Sequence, residues 1–211
     1  MKKIAIFLIA ACALSTGATG LKSLENFLKT SKTGRADFNQ TVTSPTREGQ
    51  APKVKKSTGT FEFSRPDRFK FIYKKPFEQT LVADGQTLWI YDVDLNQVTA
   101  SRQANVLSST PAALIASAPD LVALQVHFSL RDEADQDGQS WVLATPKSKD
   151  GSLQSIRVGF KIASGELATL DILDNFGQRS VLQFQNTVRN PALAIDSFQF
   201  KPPVGADVVR Q

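Results

Sequence analysis

Two spacings of apolar residues divide this chain. Leu21, Leu24, Phe27 and Leu28 recur at intervals of three and four, the period of a helix with one buried face. They predict an amphipathic helix over 21–30 that ends near Gly34. Beyond it, alternation takes over. Phe38 marks a strand over 36–43, and a Pro-, Gly- and Lys-rich stretch over 44–57 reads as a long hairpin loop. In 58–64, Phe61 and Phe63 share one face while Thr60, Glu62 and Ser64 share the other. In 68–74, Phe69, Phe71 and Tyr73 oppose Arg68, Lys70 and Lys74. Strands over 79–83 and 87–91 flank Asp84-Gly85, a strong hairpin signal, and a further turn leads to a strand over 97–102.

The character then changes. Thr110 as a cap, Pro111 at the first helical position and the helix formers after it predict a short helix over 110–117, stopped by Pro119. Six further strands are read over 125–130, 141–145, 155–161, 168–173, 180–186 and 197–200, separated by turn-rich segments. No linker or fixed-period repeat suggests a second domain. Parallel β-α-β units are absent, so the order favours one large antiparallel sheet, curled, with helices on its concave face. A curled sheet leaves an apolar hollow that something must fill.

The first 20 residues change the picture of where this happens. A charged Met1-Lys2-Lys3, an apolar run over 4–14 and small residues up to Gly20 have the form of a secretory signal, with a cut expected after Gly20. The run is too short to span a membrane. Ile9-Ala10-Ala11-Cys12 also resembles a lipobox, which leaves lipidation at Cys12 open. If the cut falls at Gly20, no cysteine remains to form a disulfide in an oxidising compartment. The 25 basic and 20 acidic side chains give +5, or about +3 once Lys2 and Lys3 are removed. That balance is too weak to argue for nucleic acid, and the basic residues near the aromatics lie on the opposite strand face.

Few catalytic arrangements survive inspection. The single histidine, His127, lies in a segment read as a strand and has no nucleophile motif to serve. With one His and no mature Cys, the usual metal ligands are nearly missing, and no cofactor is expected. The acidic residues Asp132, Glu133, Asp135 and Asp137 lack the spacing of a calcium loop and read as a solvated hairpin tip.

Six segments together carry a resemblance. These are FNQTV at 38–42, GTFEFSRPDRFKFIY at 59–73, ADGQTLWIYDVDLNQVT at 83–99, TPAALI at 110–115, FGQRS at 176–180 and FQFKPPVGADVV at 198–209. In this order they resemble the periplasmic outer-membrane lipoprotein carrier family, LolA. The resemblance implies an incomplete antiparallel β-barrel of about 11 strands, under a lid of about three helices, as one domain over 21–211. It implies a monomeric, non-enzymatic periplasmic chaperone. Such a protein takes acylated lipoproteins from an inner-membrane ABC transporter and passes them to an outer-membrane receptor. Each buried methylene is worth ~0.8 kcal/mol, so a chain of roughly 16 carbons resists crossing water by about 12 kcal/mol and needs a shelter.

By residue matching, Arg65 is expected to latch the lid through backbone carbonyls, near 110–116. Its parity with Phe61 and Phe63 points it inward, unless Pro66 turns it to solvent. Phe61, Phe63, Phe69, Phe71, Tyr73 and Trp89 are expected at the lipid cavity and its mouth, and Pro111, Leu114 and Ile115 on the lid helix. Which face of 87–91 points inward stays open. An outer-membrane receptor of the same fold anchored through Cys12, a binding protein for other amphiphiles, and a hydrolase using the same cleft are the alternatives.

Overall fold

The computed structural model describes residues 19–45, 51–104, 116, 118–149, 151–194 and 196–211. Chain order is α1 (Gly20–Thr30), β1 (Thr33–Thr43), β2 (Val54–Ser64), β3 (Arg68–Lys75), β4 (Gln79–Asp84), β5 (Thr87–Asp92), β6 (Gln97–Arg102), α2 (Leu121–His127), β7 (Phe128–Gln136), β8 (Gln139–Pro146), β9 (Leu153–Lys161), β10 (Leu167–Asp174), β11 (Arg179–Arg189) and β12 (Asp207–Arg210). The twelve strands form one sheet in the order β12-β6-β5-β4-β3-β2-β1-β11-β10-β9-β8-β7. Neighbours are antiparallel except β12, which runs parallel to β6. The outer strands β12 and β7 do not pair with each other, so the sheet is an open, partial barrel.

Side-chain contacts reveal how far it curls. Four strand spacings separate β2 from β9 along this order, about 19 Å if the sheet were flat. Yet the Phe27 ring of α1 lies 5.9 Å from Phe63 on β2 and 5.6 Å from Phe160 on β9. The sheet must wrap around α1 for one ring to touch both. Leu24, Phe27 and Leu28 point into this concave side and join one core cluster with phenylalanines of β1, β2, β3, β9 and β11. The helical spacing over 21–30 is thus the inner face of α1, begun by Thr19, whose hydroxyl accepts from Lys22 N.

Three sequence expectations need correction. Residues 125–127 are not strand, because Asp120 caps a helix by accepting from Ala123 N at 2.8 Å, and His127 is the last helical residue. The acidic residues 132–135 are not a hairpin tip; they belong to β7, and only Asp137-Gly138 turns. Residues 197–200 are a turn segment lying on the sheet, and the last strand is instead β12. The predicted helix over 110–117 lies outside the described residues except for Ala116, which is fully buried.

Alternating hairpins give the sheet two ends. The β2–β3 and β4–β5 turns lie at one end, which holds Arg65. The turns after β1, β3, β5, β8 and β10 lie at the other.

Candidate functional site

The concave face of β1, β2, β3 and β11 is an aromatic seam. Antiparallel register sets Phe61 opposite Phe71 and Phe63 opposite Phe69, so the alternation of the two strands coincides on one face. The Phe61 and Phe71 rings stack at 4.4 Å, and Phe61 also reaches Phe63 at 5.7 Å and Phe184 at 5.6 Å. Phe38 meets Phe71 at 5.7 Å and Tyr73 at 5.1 Å, edge to face. Phe61, Phe63, Phe69 and Phe71 are all buried, and Tyr73 is half-buried at the end of the row. Burial pushes the Tyr73 hydroxyl above its ordinary range, with a smaller opposing effect from a hydrogen bond to Gln40. Gly59 lets the seam close: a Cβ there would lie 2.1 Å from Ile72 O and 2.7 Å from the Phe38 ring. Beside the seam runs a narrow crevice of about 20 Å³, partly open to solvent, between Phe27, Phe61, Phe63, Leu167 and Phe184.

Arg65 stands where this crevice meets the end of α1. Its guanidinium donates to the carbonyl of Ser31 and, at 3.4 Å, to that of Phe27. It also lies over the Phe27 and Phe63 rings, 4.7 and 5.0 Å from their centroids. Burial pulls its pKa down to about 10, so it stays charged at neutral pH. The solvated-turn alternative is therefore set aside: Arg65 points inward as its parity with Phe61 and Phe63 implied. The carbonyls it meets among the described residues lie at the C-terminal end of α1, where Ser31 caps the helix and its N–H already donates to the Phe27 carbonyl. The neighbouring turn reaches the expected lid segment through the backbone. Asp67 N donates to Ala116 O at 3.1 Å, and Asp67 O accepts from the buried Gln103 amide at 2.6 Å. Pro111, Leu114 and Ile115 lie outside the described residues.

Trp89 is not in the cavity. Val82, its partner on β4, is one residue out of phase with Leu81 and Ala83, the partners of the inward Phe71 and Phe69. Trp89 therefore sits on the convex face, 5.6 Å from Phe200, with Tyr91 6.2 Å from the same ring. The inward pair of β5 is Leu88 and Ile90. Asp84 accounts for much of the 83–91 segment: it accepts from Gln86 N, Thr87 N and Trp89 Nε1, closing the turn and holding the indole. Burial pushes the Asp84 carboxyl up, but these donors together leave it below its ordinary value.

On the same convex face, Lys70 is half-buried rather than free in water. It donates to Ser197 O at 2.9 Å and pairs with Glu62 at 3.0 Å, while Arg35 meets the other Glu62 oxygen at 2.6 Å. These contacts bind the C-terminal segment to the sheet. Phe27, Phe38 and Phe184 complete the concave seam and were not singled out as site residues. Their periodicity was visible, but which strands would be neighbours was not.

An open, curled antiparallel sheet with an aromatic concave face, a helix seated on it and one half-buried arginine at the helix end defines a binding protein for an apolar ligand. Residues 29–201 match the model of the outer membrane lipoprotein carrier protein LolA, and the chain belongs to that family. It is 68% identical, over the full length of both chains, to an outer-membrane lipoprotein carrier protein of Albidiferax ferrireducens. It is 45% identical, again over both full lengths, to one of Methylibium petroleiphilum. Among solved structures, an uncharacterized conserved protein of Thermus thermophilus shares the fold at a TM-score of 0.51 and 16% identity, covering 90% of this chain and 96% of that one.

Proposed function

We propose that this protein is a periplasmic lipoprotein carrier, which shelters the acyl chains of its cargo against the concave seam of Phe38, Phe61, Phe63, Phe69, Phe71 and Tyr73. The observation that carries the reading is the seam itself, closed over by α1 and held there by a half-buried cation. A ligand of acyl chains replaces ring-on-ring contacts by chain-on-ring contacts at little cost in apolar burial, so the seam exchanges one apolar partner for another. The crevice has room for only about 20 Å³, far below the about 300 to 1,000 Å³ of ligand pockets. Several acyl chains need more room, so loading separates α1 from the seam and breaks the Arg65 contacts. Release restores them. Arg65 thus biases the carrier toward its empty arrangement and keeps binding from becoming irreversible. No covalent chemistry is required.

In this reading residues 1–20 are the export signal and 21–211 the carrier domain. Cleavage after Gly20 turns the Leu21 amide, 2.6 Å from Asp132, into an ammonium facing that carboxylate. The mass of the mature protein reads the cut directly. Cargo would be received from an inner-membrane ABC transporter and passed to an outer-membrane receptor. Among the described residues no helix is long and apolar enough to cross a membrane.

The test is solubilisation. Inner-membrane vesicles bearing a labelled lipoprotein and its releasing transporter are incubated with ATP and the purified chain, then pelleted. Labelled lipoprotein in the supernatant as an equimolar complex with the chain is the expected result. Cargo that stays in the pellet refutes the reading.

A further inference from the structure

The end of the sheet away from Arg65 combines exposed apolar tips with cations that form no ion pair among the described residues. Along the strand order β4-β3-β2-β1-β11-β10, three neighbouring hairpin ends present themselves there. The β3–β4 turn carries Phe77, 67% exposed, and the β10–β11 turn carries Phe176, 76% exposed. Val54, at the start of β2, is 55% exposed between them. Pro45, just past β1, lies beside Gly177, which places the β10–β11 tip against the β1 end. Lys53, Lys55, Lys56, Lys74 and Lys75 stand around these tips, all exposed and none in an ion pair among the described residues. The acidic groups described on the same tips are Glu78 and Asp174, and Asp174 is engaged in its own turn by Phe176 N and Gln178 N. The next turn, β5–β6, adds Leu95 but also Asp92 and Asp94, so the positive field is centred on β1–β4.

The apolar tips and the lysines are exposed, and none belongs to the core cluster. Large aromatic side chains at hairpin tips, held out into water, have no packing role to explain them. We propose that this rim docks the protein on an anionic lipid bilayer, with Phe77 and Phe176 at headgroup depth and the lysines over the lipid phosphates. The geometry favours a bilayer over a folded partner. Apolar side chains on separate hairpin tips do not form the continuous surface of roughly 800 Å² per side that a stable protein interface buries. They can each enter a soft headgroup layer without any matching hollow. Lysines beside them add attraction to anionic lipid, about a factor of five in partitioning for each residue near the surface. The contact would be transient, suited to a protein that must approach a membrane and leave again.

The test is co-sedimentation of the mature chain with vesicles of equal parts phosphatidylglycerol and phosphatidylcholine, against pure phosphatidylcholine, at low and high salt. Binding to the anionic vesicles that weakens with salt is expected. Lys74→Glu with Lys75→Glu should lower the partition coefficient about 25-fold or more. Phe77→Ser with Phe176→Ser should lower it at both salt concentrations. All four positions are exposed, and circular dichroism with melting curves checks that the variants fold. Binding without dependence on anionic lipid overturns the proposal, as do rim variants that sediment like the wild type, the outcome if the concave face alone takes up lipid. Failure of the wild type to bind anionic vesicles, even if it binds an acidic soluble protein through this rim, also overturns it. Lipoprotein solubilisation separates this from the carrier reading, since the rim variants retain it if only the rim proposal fails.

Discussion

Replacing Arg65 by leucine tests the bias toward the empty state. In the closed arrangement the guanidinium makes one strong and one long hydrogen bond to the last carbonyls of α1 and lies over two rings. A hydrogen bond from a charged donor contributes about 1.5–3 kcal/mol, and each cation–ring contact about 0.5–1 kcal/mol. Together they amount to about 3–5 kcal/mol. Against this, burial lowers the guanidinium pKa to about 10, which corresponds to a cost of about 3 kcal/mol for keeping the charge inside. The net preference for closure from these described contacts is therefore about 1 kcal/mol, roughly a fivefold bias. Leucine removes the contacts and the penalty alike, and in the loaded state it meets acyl chains that arginine must avoid. Arg65→Leu should load with lipoprotein at least as well as the wild type, melt within a few degrees of it, and pass cargo to acceptor membranes or receptor about fivefold more slowly or worse. The assay pre-loads purified protein with labelled lipoprotein and follows transfer by centrifugation. Transfer at the wild-type rate, or a variant that cannot load, refutes the reasoning.

Other positions give independent checks. Glu62 is held below its ordinary value of 4.5: burial pushes it up, but Arg35 and Lys70 outweigh that. A depressed carboxylate stabilises the fold above its unfolded value, and the contribution is lost as pH falls through the folded one. Glu62→Gln should cost about 1 kcal/mol at neutral pH, and its Tm difference from the wild type should shrink below about pH 4.5. Gly59→Ala places a Cβ 2.1 Å from Ile72 O and should cost at least about 2 kcal/mol by overpacking, read as a lower denaturant midpoint. Phe200→Ala uncovers Trp89 and Tyr91, so tryptophan emission should shift to the red and the C-terminal segment become easier to proteolyse, with acyl-probe binding unchanged. A fall in probe binding with that variant would contradict the outward placement of Trp89.

Strand parity made the seam legible. Phe61 and Phe63 against Thr60, Glu62 and Ser64 could be read directly, because period two is a property of consecutive residues. The inward direction of Arg65 followed from the same rule. What α1 offers it did not: the carbonyls of Phe27 and Ser31 are more than thirty positions away, and no local pattern announces a contact across that distance. Trp89 shows the complementary limit. Trp89 and Tyr91 face one way and Leu88 and Ile90 the other, so alternation gave two faces of similar apolarity. The register that sets Trp89 opposite Val82 decides between them, and Phe200 covers the convex side. Residues 125–127 had alternating polarity, but the Asp120 cap just after Pro119 overrode it.

Leaving β7 and β12 unpaired with each other has a mechanical consequence. A closed barrel can admit a larger guest only by breaking a whole ladder of backbone hydrogen bonds, whereas an open sheet changes its radius by unrolling a little, with every ladder intact. The exposed borders this creates are blunted against sticking to other sheets: β7 carries Arg131, Asp132, Glu133 and Asp135, and β12 is only four residues long. The result is a compliant wall, one that fits its volume to one chain or several without a hinge and without exposing a surface that would polymerise.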